Sequence, residues 1–276
     1  MSAVYDVNPS TGGQKRPVAA IVTAAPYCGA SGTIFTVHTG GVLTTATEAL
    51  LPGLCPHCDQ PLAGRDRGLC SMCWASVVPR VGAACPRCGT PTDECSEECL
   101  HCIESPPPQR ATVVWGEHDG VLRTVIVSLK HRGRDDFAGP LGARLAAAVS
   151  TRPWVDSIDV VSAVPSHGLR RMRRPWTASE LLAVETARRL AKPSDTLLRR
   201  HGLRRQAGRS RARRLDLPSR CFSASRRTHG LCVLLIDDVM TTGTTVRRAA
   251  QALGRAGAAG VFCAVAAHAP DPRRFS

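Results

Sequence analysis

The chain has 276 residues, of which 43% are hydrophobic and only 4% aromatic, and its formal net charge is +14. This composition predicts one globular domain with an appendage, or two small domains, with a core of Ala, Val and Leu and an attraction to nucleic acid or phosphorylated small molecules. Because the sequence has no apolar run near the roughly 20 residues of a membrane helix and no recognisable secretion signal, we expect a cytoplasmic protein without membrane insertion.

The first segment, residues 1–43, is rich in Gly, Thr, Ala and Ser and has no sustained hydrophobic periodicity. This pattern predicts a disordered leader. A translation start assigned too far upstream would explain the same pattern, so both interpretations stay open.

Cysteine pairs dominate the next segment, residues 44–104. Ten of the 13 cysteines lie between Cys28 and Cys102. Without a secretion signal, this density favours metal binding, with disulfides as the alternative. Four Cys-x-x-Cys pairs predict two tetrahedral zinc sites. Taken in sequence order, the predicted ligands are Cys55, Cys58, Cys70 and Cys73 for one ion, and Cys85, Cys88, Cys99 and Cys102 for the other.

The spacing leaves two details of these sites open. An interleaved pairing would use the same eight cysteines, and Cys95 could replace Cys99, which we prefer because it completes a Cys-x-x-Cys pair. We interpret His57 and His101, inside the pairs, as spacers. Four thiolates leave no open position on the metal, so we expect the zinc ions to be structural.

A proline run, within residues 105–110, predicts a stiff linker to a second domain over residues 111–270, followed by a short tail, 271–276. In the second domain, strand-like and helix-like segments alternate. The segment from Ala111 is strand-like, and Asp159 to Val164 is predicted as a buried strand. Helical spacing is found in three segments, which are GVLRTVIVSLKHRG, FAGPLGARLAAAV and Pro175 to Leu190. This alternation predicts an α/β fold with a doubly wound parallel sheet.

The most informative motif is VLLIDDVMTTGTT, Val233 to Thr245. Four apolar residues predict a buried strand, and Asp237 and Asp238 are expected at its carboxyl end, where open α/β sheets bind ligands. Paired carboxylates can accept hydrogen bonds from the hydroxyls of a ribose and help to hold Mg²⁺. Thr241, Thr242, Gly243, Thr244 and Thr245 precede a helix, whose amino terminus favours phosphate. Together they indicate a sugar-phosphate site, with a simple helix cap as the alternative.

This motif resembles the phosphoribosyl diphosphate (PRPP) signature of type I phosphoribosyltransferases. The combination of CPHC, CSMCW, CPRCG and CLHC with ESPPP, LKHRGR, VPSHGLRRMRR, QAGRSRARR and VLLIDDVMTTGTT resembles the ComF family over residues 45–268. The resemblance implies a zinc ribbon joined to a type I phosphoribosyltransferase-like domain, with PRPP and Mg²⁺ as ligands. It also implies a role in bacterial DNA uptake.

The resemblance further implies a pyrophosphate-binding loop after the strand that ends near Val164. Its residues would be Val164, Pro165, Ser166, His167, Arg170 and Arg171, and a solvated basic helix start is the alternative for the arginines. From LKHRGR, Lys130, Arg132 and Arg134 would contribute. Where ComF proteins usually carry Gly-Phe-Asn-Gln, this chain has Arg174 to Ala178, which leaves transferase competence open.

An arginine-rich segment follows, with eight arginines among the sixteen residues from Arg199 to Arg214. Arg204, Arg205, Arg211 and Arg213 suit either a loop that closes over PRPP or contacts with a nucleic-acid backbone. Three functions stay open on the sequence. They are a ComF-like PRPP-binding protein that handles single-stranded DNA, an active phosphoribosyltransferase with an unknown acceptor, and a non-catalytic module that docks a partner such as a competence helicase.

Overall fold

The computed structural model describes residues 53–63, 68–92, 99–166, 176–201 and 221–270. All of them belong to one compact unit, Thr45–Ser276. The predicted leader, 1–43, and tail, 271–276, lie outside the described residues, so those two predictions stay predictions. The division into ribbon, linker and second domain also stays a prediction. Within the described part of the chain, no helix is long and apolar enough to cross a membrane.

Among the described residues, six strands form two sheets. They are β1 (Ala111–Glu117), β2 (Val160–Ala163), β3 (Leu198–Arg200), β4 (Phe222–Ala224), β5 (Cys232–Met240) and β6 (Gly260–His268). The main sheet has the order β1-β6-β5-β2 and all its neighbours are parallel. Strands β3 and β4 form a separate antiparallel pair. The predicted α/β fold with a parallel sheet is confirmed.

The helices among the described residues are α1 (Ser71–Ser76), α2 (Leu100–Glu104), α3 (Gly120–His131), α4 (Ala138–Ser150), α5 (Ala178–Arg189) and α6 (Thr244–Arg255). Helices α3, α4 and α5 begin and end close to the predicted segments, whereas α1 and α2 were not predicted. Asp119 caps α3 by accepting a hydrogen bond from the Gly120 amide. A capping box of Thr177 and Glu180 begins α5. Short 3-10 turns span Asp135–Phe137, Val155–Ser157 and Arg226–Thr228.

Both faces of the main sheet are buried, which explains the unbroken apolar runs of its central strands. In β5, Leu234 and Ile236 face the core formed with α3, α4 and α5. Their neighbours Val233 and Leu235 face the other core, formed with α6 and the β3–β4 pair. Because side chains alternate along a strand, every residue of this run has a helix or a strand pair to pack against.

The two cysteine modules pack beside the edge strand β1. The first joins the core on the α3–α4 side, where Trp74 meets Phe137 edge to face at 5.9 Å between ring centroids. The second lies against Val114 and Met240. Between them the chain runs along β1, and the Arg80 amide donates to the Trp115 carbonyl over 2.8 Å. The ribbons are therefore packed parts of the same compact unit.

The segment predicted as a stiff linker also packs on the sheet domain. Pro107 and Gln109 are buried. The Ser105 carbonyl and hydroxyl both accept hydrogen bonds from Arg247 of α6, each over 2.6 Å. These contacts hold the segment in place against α6.

Candidate functional site

The eight predicted zinc ligands form two separate clusters. In each one, all four sulfur atoms lie within 4.8 Å of one another. The first contains Cys55, Cys58, Cys70 and Cys73, and the second contains Cys85, Cys88, Cys99 and Cys102. The sequential pairing is therefore confirmed over the interleaved one, and Cys99 belongs to the second cluster. Cys95 lies outside the described residues.

Distances between these sulfur atoms fit tetrahedral zinc. The Cys58–Cys70 distance is 3.6 Å, Cys85–Cys102 is 3.7 Å and Cys88–Cys99 is 3.5 Å. A tetrahedron with Zn–S bonds of about 2.3 Å has S–S edges of about 3.8 Å. All described cysteines are free thiols, so the disulfide alternative has no support among them. The clusters fit a double zinc ribbon.

The environment of each cluster favours at least one thiolate. Burial raises the pKa of Cys55, but the backbone amides of Cys70, Cys58 and His57 donate to its sulfur and lower the pKa to about 6 overall. Cys85 has a similar balance, and its pKa is also about 6. Amide donors at a sulfur stabilise its anionic form, which is the form that binds a metal.

The histidines inside the cysteine pairs make other contacts. His57 Nδ1 lies 3.0 Å from Thr124 Oγ1 on α3. His101 Nε2 accepts a hydrogen bond from Arg247 Nη1 over 3.1 Å. Neither histidine belongs to a cysteine cluster. His101 instead ties the second ribbon to α6.

The carboxyl end of β5 carries the two predicted carboxylates. Asp237 and Asp238 are both strand residues, and Asp237 is in register with Val265 of β6. We expected both at the carboxyl end of the strand, side by side and facing one ligand. Successive strand residues point to opposite faces, so their surroundings differ.

Asp237 is the buried member of the pair. Its Oδ1 accepts hydrogen bonds from Ser179 Oγ over 3.0 Å and from the Asp238 amide over 2.9 Å. Burial and the charge of Asp238 raise the pKa of Asp237 to about 7, although these donors and the charge of Lys130 act in the opposite direction. Burial therefore favours the neutral form of this carboxyl group, relative to an exposed aspartate.

Asp238 forms an ion pair with Lys130. Its Oδ1 lies 2.8 Å from Lys130 Nζ, and both side chains are mostly buried. Lys130 lies on α3, so this contact brings the predicted LKHRGR segment to the strand end. Arg134 of the same segment instead pairs with Asp136 over 3.0 Å and donates to the Gly68 carbonyl. Only part of that segment reaches the site.

The loop after β5 leads directly into α6. Thr241 and Thr242 are exposed, and Gly243 adopts a left-handed φ of 72°. Thr244 and Thr245, predicted as loop residues, are the first residues of the helix. The Thr242 and Thr244 hydroxyls lie 2.9 Å apart. The loop therefore presents hydroxyl groups and free backbone amides at the amino terminus of a 12-residue helix.

The first residues of the predicted pyrophosphate loop follow β2 at the same edge of the sheet. The Val164 amide donates to the Ile236 carbonyl over 2.8 Å, which fixes this chain beside β5. Val164 and Pro165 are buried. Ser166 Oγ is buried and has no hydrogen-bond partner among the described residues. The remaining predicted loop residues, His167, Arg170 and Arg171, lie outside the described part, as do Arg204, Arg205, Arg211 and Arg213.

Sequence reasoning missed three residues near this edge. Ser179 donates a hydrogen bond to Asp237. His268 ends β6 in register with Met240, with its Nδ1 3.6 Å from Glu117 Oε2. The pKa of His118 is lowered by burial and by the positive charges of Lys130 and Arg123. A polar residue that ends a buried apolar strand could have indicated His268, whereas Ser179 and His118 have no such signal.

Comparison with known proteins matches both halves of the chain. The family model described as double zinc ribbon domain matches residues 46–103, and the model described as phosphoribosyl transferase domain matches residues 175–276. DNA utilization protein YhgH of Salmonella typhi is 34% identical over 217 residues, which cover 76% of this chain and 95% of that protein. Competence protein F of Haemophilus influenzae is 25% identical over 212 residues, or 74% and 91% of the two chains.

Similarity to solved structures is more limited. Glutamine phosphoribosylpyrophosphate amidotransferase from B. subtilis, complexed with ADP and GMP, aligns with a TM-score of 0.34 and 24% sequence identity. The alignment covers 47% of this chain and 26% of that chain.

Proposed function

Because this chain belongs to the ComF-like family, in which a double zinc ribbon precedes a phosphoribosyltransferase domain, we propose that it is a cytoplasmic PRPP-binding protein that handles single-stranded DNA during DNA uptake. The names of its relatives support the role in DNA uptake and use. The free thiols of its described cysteines suit the reducing cytoplasm.

One observation carries the PRPP assignment. The Asp237–Asp238 strand end continues through a threonine-rich loop into the amino terminus of α6. This order brings groups that accept hydrogen bonds from sugar hydroxyls next to groups that bind a phosphate. A sugar that carries a 5′-phosphate matches both. The Thr241–Thr245 segment would bind that phosphate, and Asp238 would accept hydrogen bonds from the ribose.

The ion pair of Asp238 with Lys130 suggests how the site responds to ligand. The 2.8 Å contact neutralises both groups while they lie mostly buried. A bound diphosphate would compete for the ammonium group of Lys130, and ribose hydroxyls or Mg²⁺ would take its place at Asp238. Asp237 would support this exchange, because its carboxylate holds the Asp238 amide and fixes the end of the strand.

Metal ions would serve two purposes. Zinc at the two cysteine clusters would fold the ribbons and do no chemistry, because four thiolates fill its coordination sphere. Carboxylate oxygens suit Mg²⁺, so Asp238 would help to hold a magnesium–PRPP complex, and Asp237 would fix the end of the strand that carries it. Magnesium neutralises diphosphate charge, which is the chemistry that it would supply.

A second candidate function is phosphoribosyl transfer to an unknown acceptor. The match to the phosphoribosyl transferase domain favours it. Where ComF proteins usually carry Gly-Phe-Asn-Gln, Thr177 forms the cap of α5 and Trp176 is 57% exposed. The asparagine and glutamine side chains of the usual segment are therefore absent here, and a helix cap stands in their place. This difference favours ligand binding over phosphoribosyl transfer.

The third candidate is a module that docks a partner protein such as a helicase. Leu100 and Ile103 on α2 are 78% and 60% exposed, which favours a contact surface on the second ribbon.

Calorimetric titration with PRPP and Mg²⁺ tests the main proposal. We expect binding by the zinc-replete protein, and a loss of at least tenfold in affinity for Asp238→Asn, because charged hydrogen bonds contribute about 1.5–3 kcal/mol. Asp156→Asn is the matched control, since Asp156 is exposed on a 3-10 turn and its substitution changes the net charge equally. Pyrophosphate release from the same sample would distinguish a transferase from a binding protein.

A further inference from the structure

A cavity lies beside the edge strand β1, apart from the residues of the proposed sugar-phosphate site. Its volume is about 620 Å³, within the range of small-molecule sites. Three segments line it: the start of β1, the chain from Arg80 into the first Cys-x-x-Cys pair of the second ribbon, and the turn Arg152–Trp154 after α4. Asp237, Asp238 and the Thr241–Thr245 segment do not line it. The cavity is therefore a separate candidate site.

The charged side chains that line this cavity are all positive. Its lining includes Arg80, Arg87, Arg110 and Arg152, and no acidic residue lines it. Guanidinium groups match phosphate oxygens in geometry as well as charge. Arg110 Nη2 donates to the Ala259 carbonyl over 2.7 Å, which holds this side chain at the amino end of the sheet. The cavity is suited to an anionic ligand.

Arg80 forms an ion pair with Glu117 and also contributes a buried donor, its Nη1, to the wall of this cavity. Its side chain is only 9% exposed, and its Nε lies 2.7 Å from Glu117 Oε1, without the angle of a hydrogen bond. Its Nη1 is buried and has no hydrogen-bond partner among the described residues. Because this donor is buried, Arg80 contributes positive charge at the cavity wall rather than an exposed contact.

Trp154 supplies a flat aromatic surface on the same cavity. One face of its indole stacks on Phe262, with ring centroids 4.5 Å apart and planes 12° apart. That contact fixes the ring, and Trp154 remains only partly buried. A fixed aromatic ring beside arginines is the combination that binds nucleotides, since the base stacks and the phosphate pairs with guanidinium.

We propose that the cavity between the ribbons and β1 binds the base and phosphate of a nucleotide, either free or within a single strand. Trp154 stacks on the base, and the arginines bind the phosphate. The cavity volume accommodates one nucleotide unit with water. This inference rests on the proposed DNA handling only for the source of the nucleotide, and it is independent of PRPP binding.

Two probes and two variants test the site. The probes are thymidine monophosphate and a fluorescent deoxythymidine oligomer of about 12 nucleotides. The variants are Arg152→Gln, at an exposed position where folding is not at risk, and Trp154→Leu. Arg189→Gln is the matched control, because Arg189 is exposed on α5 and its substitution changes the net charge equally. Zinc content and PRPP affinity are measured on each preparation.

We expect each cavity variant to bind the preferred probe about tenfold or more weakly, while Arg189→Gln binds normally. Similar affinity for both probes would identify a free nucleotide as the ligand, and binding of the oligomer alone would identify a strand. The site is refuted if neither probe binds, if the cavity variants bind like the wild type, or if Arg189→Gln weakens binding equally. If the cavity variants still bind PRPP, the outcome of the nucleotide test is independent of the proposed PRPP-binding function.

Discussion

Replacing Gly89 with alanine should loosen the second ribbon from the sheet. Gly89 has a φ of +77°, and a Cβ there would lie 2.7 Å from Val114 Cγ2 and 3.1 Å from Met240 Cε. The left-handed conformation costs alanine about 1–2 kcal/mol, and overpacking costs about 1–3 kcal/mol more. We expect the free energy of unfolding to fall by about 2–5 kcal/mol, a large share of the 5–15 kcal/mol of a typical domain.

Gly230→Ala is the matched control for this change. Gly230 has a φ of +76°, and a Cβ there would meet nothing within 4 Å. It should therefore show the conformational cost of about 1–2 kcal/mol without the clash. Urea unfolding of both zinc-replete variants, followed by tryptophan fluorescence, measures the difference. Equal destabilisation of the two variants would refute the packing of the ribbon on Val114 and Met240.

Three further changes test other contacts. Cys70→Ser should reduce bound zinc from two ions to one and destabilise the first ribbon, and two ions measured by metal analysis would refute the ligand set. For Asp237→Asn, urea unfolding without ligand gives the free energy of unfolding of the variant and of the wild type. The variant's free energy of unfolding should rise relative to that of the wild type as pH increases from about 4 to about 7. The reason is that the raised folded-state pKa favours the neutral carboxyl, whereas the unfolded chain loses its proton near pH 4. A pH-independent difference would contradict the burial of this carboxyl group. Arg247→Ala should weaken PRPP binding several-fold and leave the zinc content unchanged, because it removes the hydrogen bonds that hold α6 to Ser105. Arg248→Ala, on the same helix, is the control and should leave PRPP binding unchanged. Equal effects of these two arginine changes would contradict the proposed link.

Short sequence motifs predicted the parts of the structure whose functional residues are close together in the sequence. Four Cys-x-x-Cys pairs gave the two clusters, and an apolar run followed by acidic, threonine and glycine residues gave β5, its loop and α6. In both cases the residues that act together lie close in sequence, so spacing indicated which residues take part. The pairing of the cysteines in sequence order and the choice of Cys99 over Cys95 came from the structure.

Contacts between distant residues were not predictable in this way. The unequal surroundings of the two aspartates depend on Ser179, 58 residues before Asp237, and on Lys130 of α3. Similarly, proline content predicted a stiff segment at 105–110, but the hydrogen bonds from Arg247 that fix it span 142 residues. Such contacts depend on the packing of whole elements.

Calorimetric titration of PRPP with Mg²⁺ into the zinc-replete protein is the decisive measurement for the sugar-phosphate site. We expect binding that Asp238→Asn weakens at least tenfold and that Asp156→Asn leaves unchanged. No binding by the wild type, or the same affinity in a folded Asp238→Asn variant, would contradict the assignment of the sugar-phosphate site.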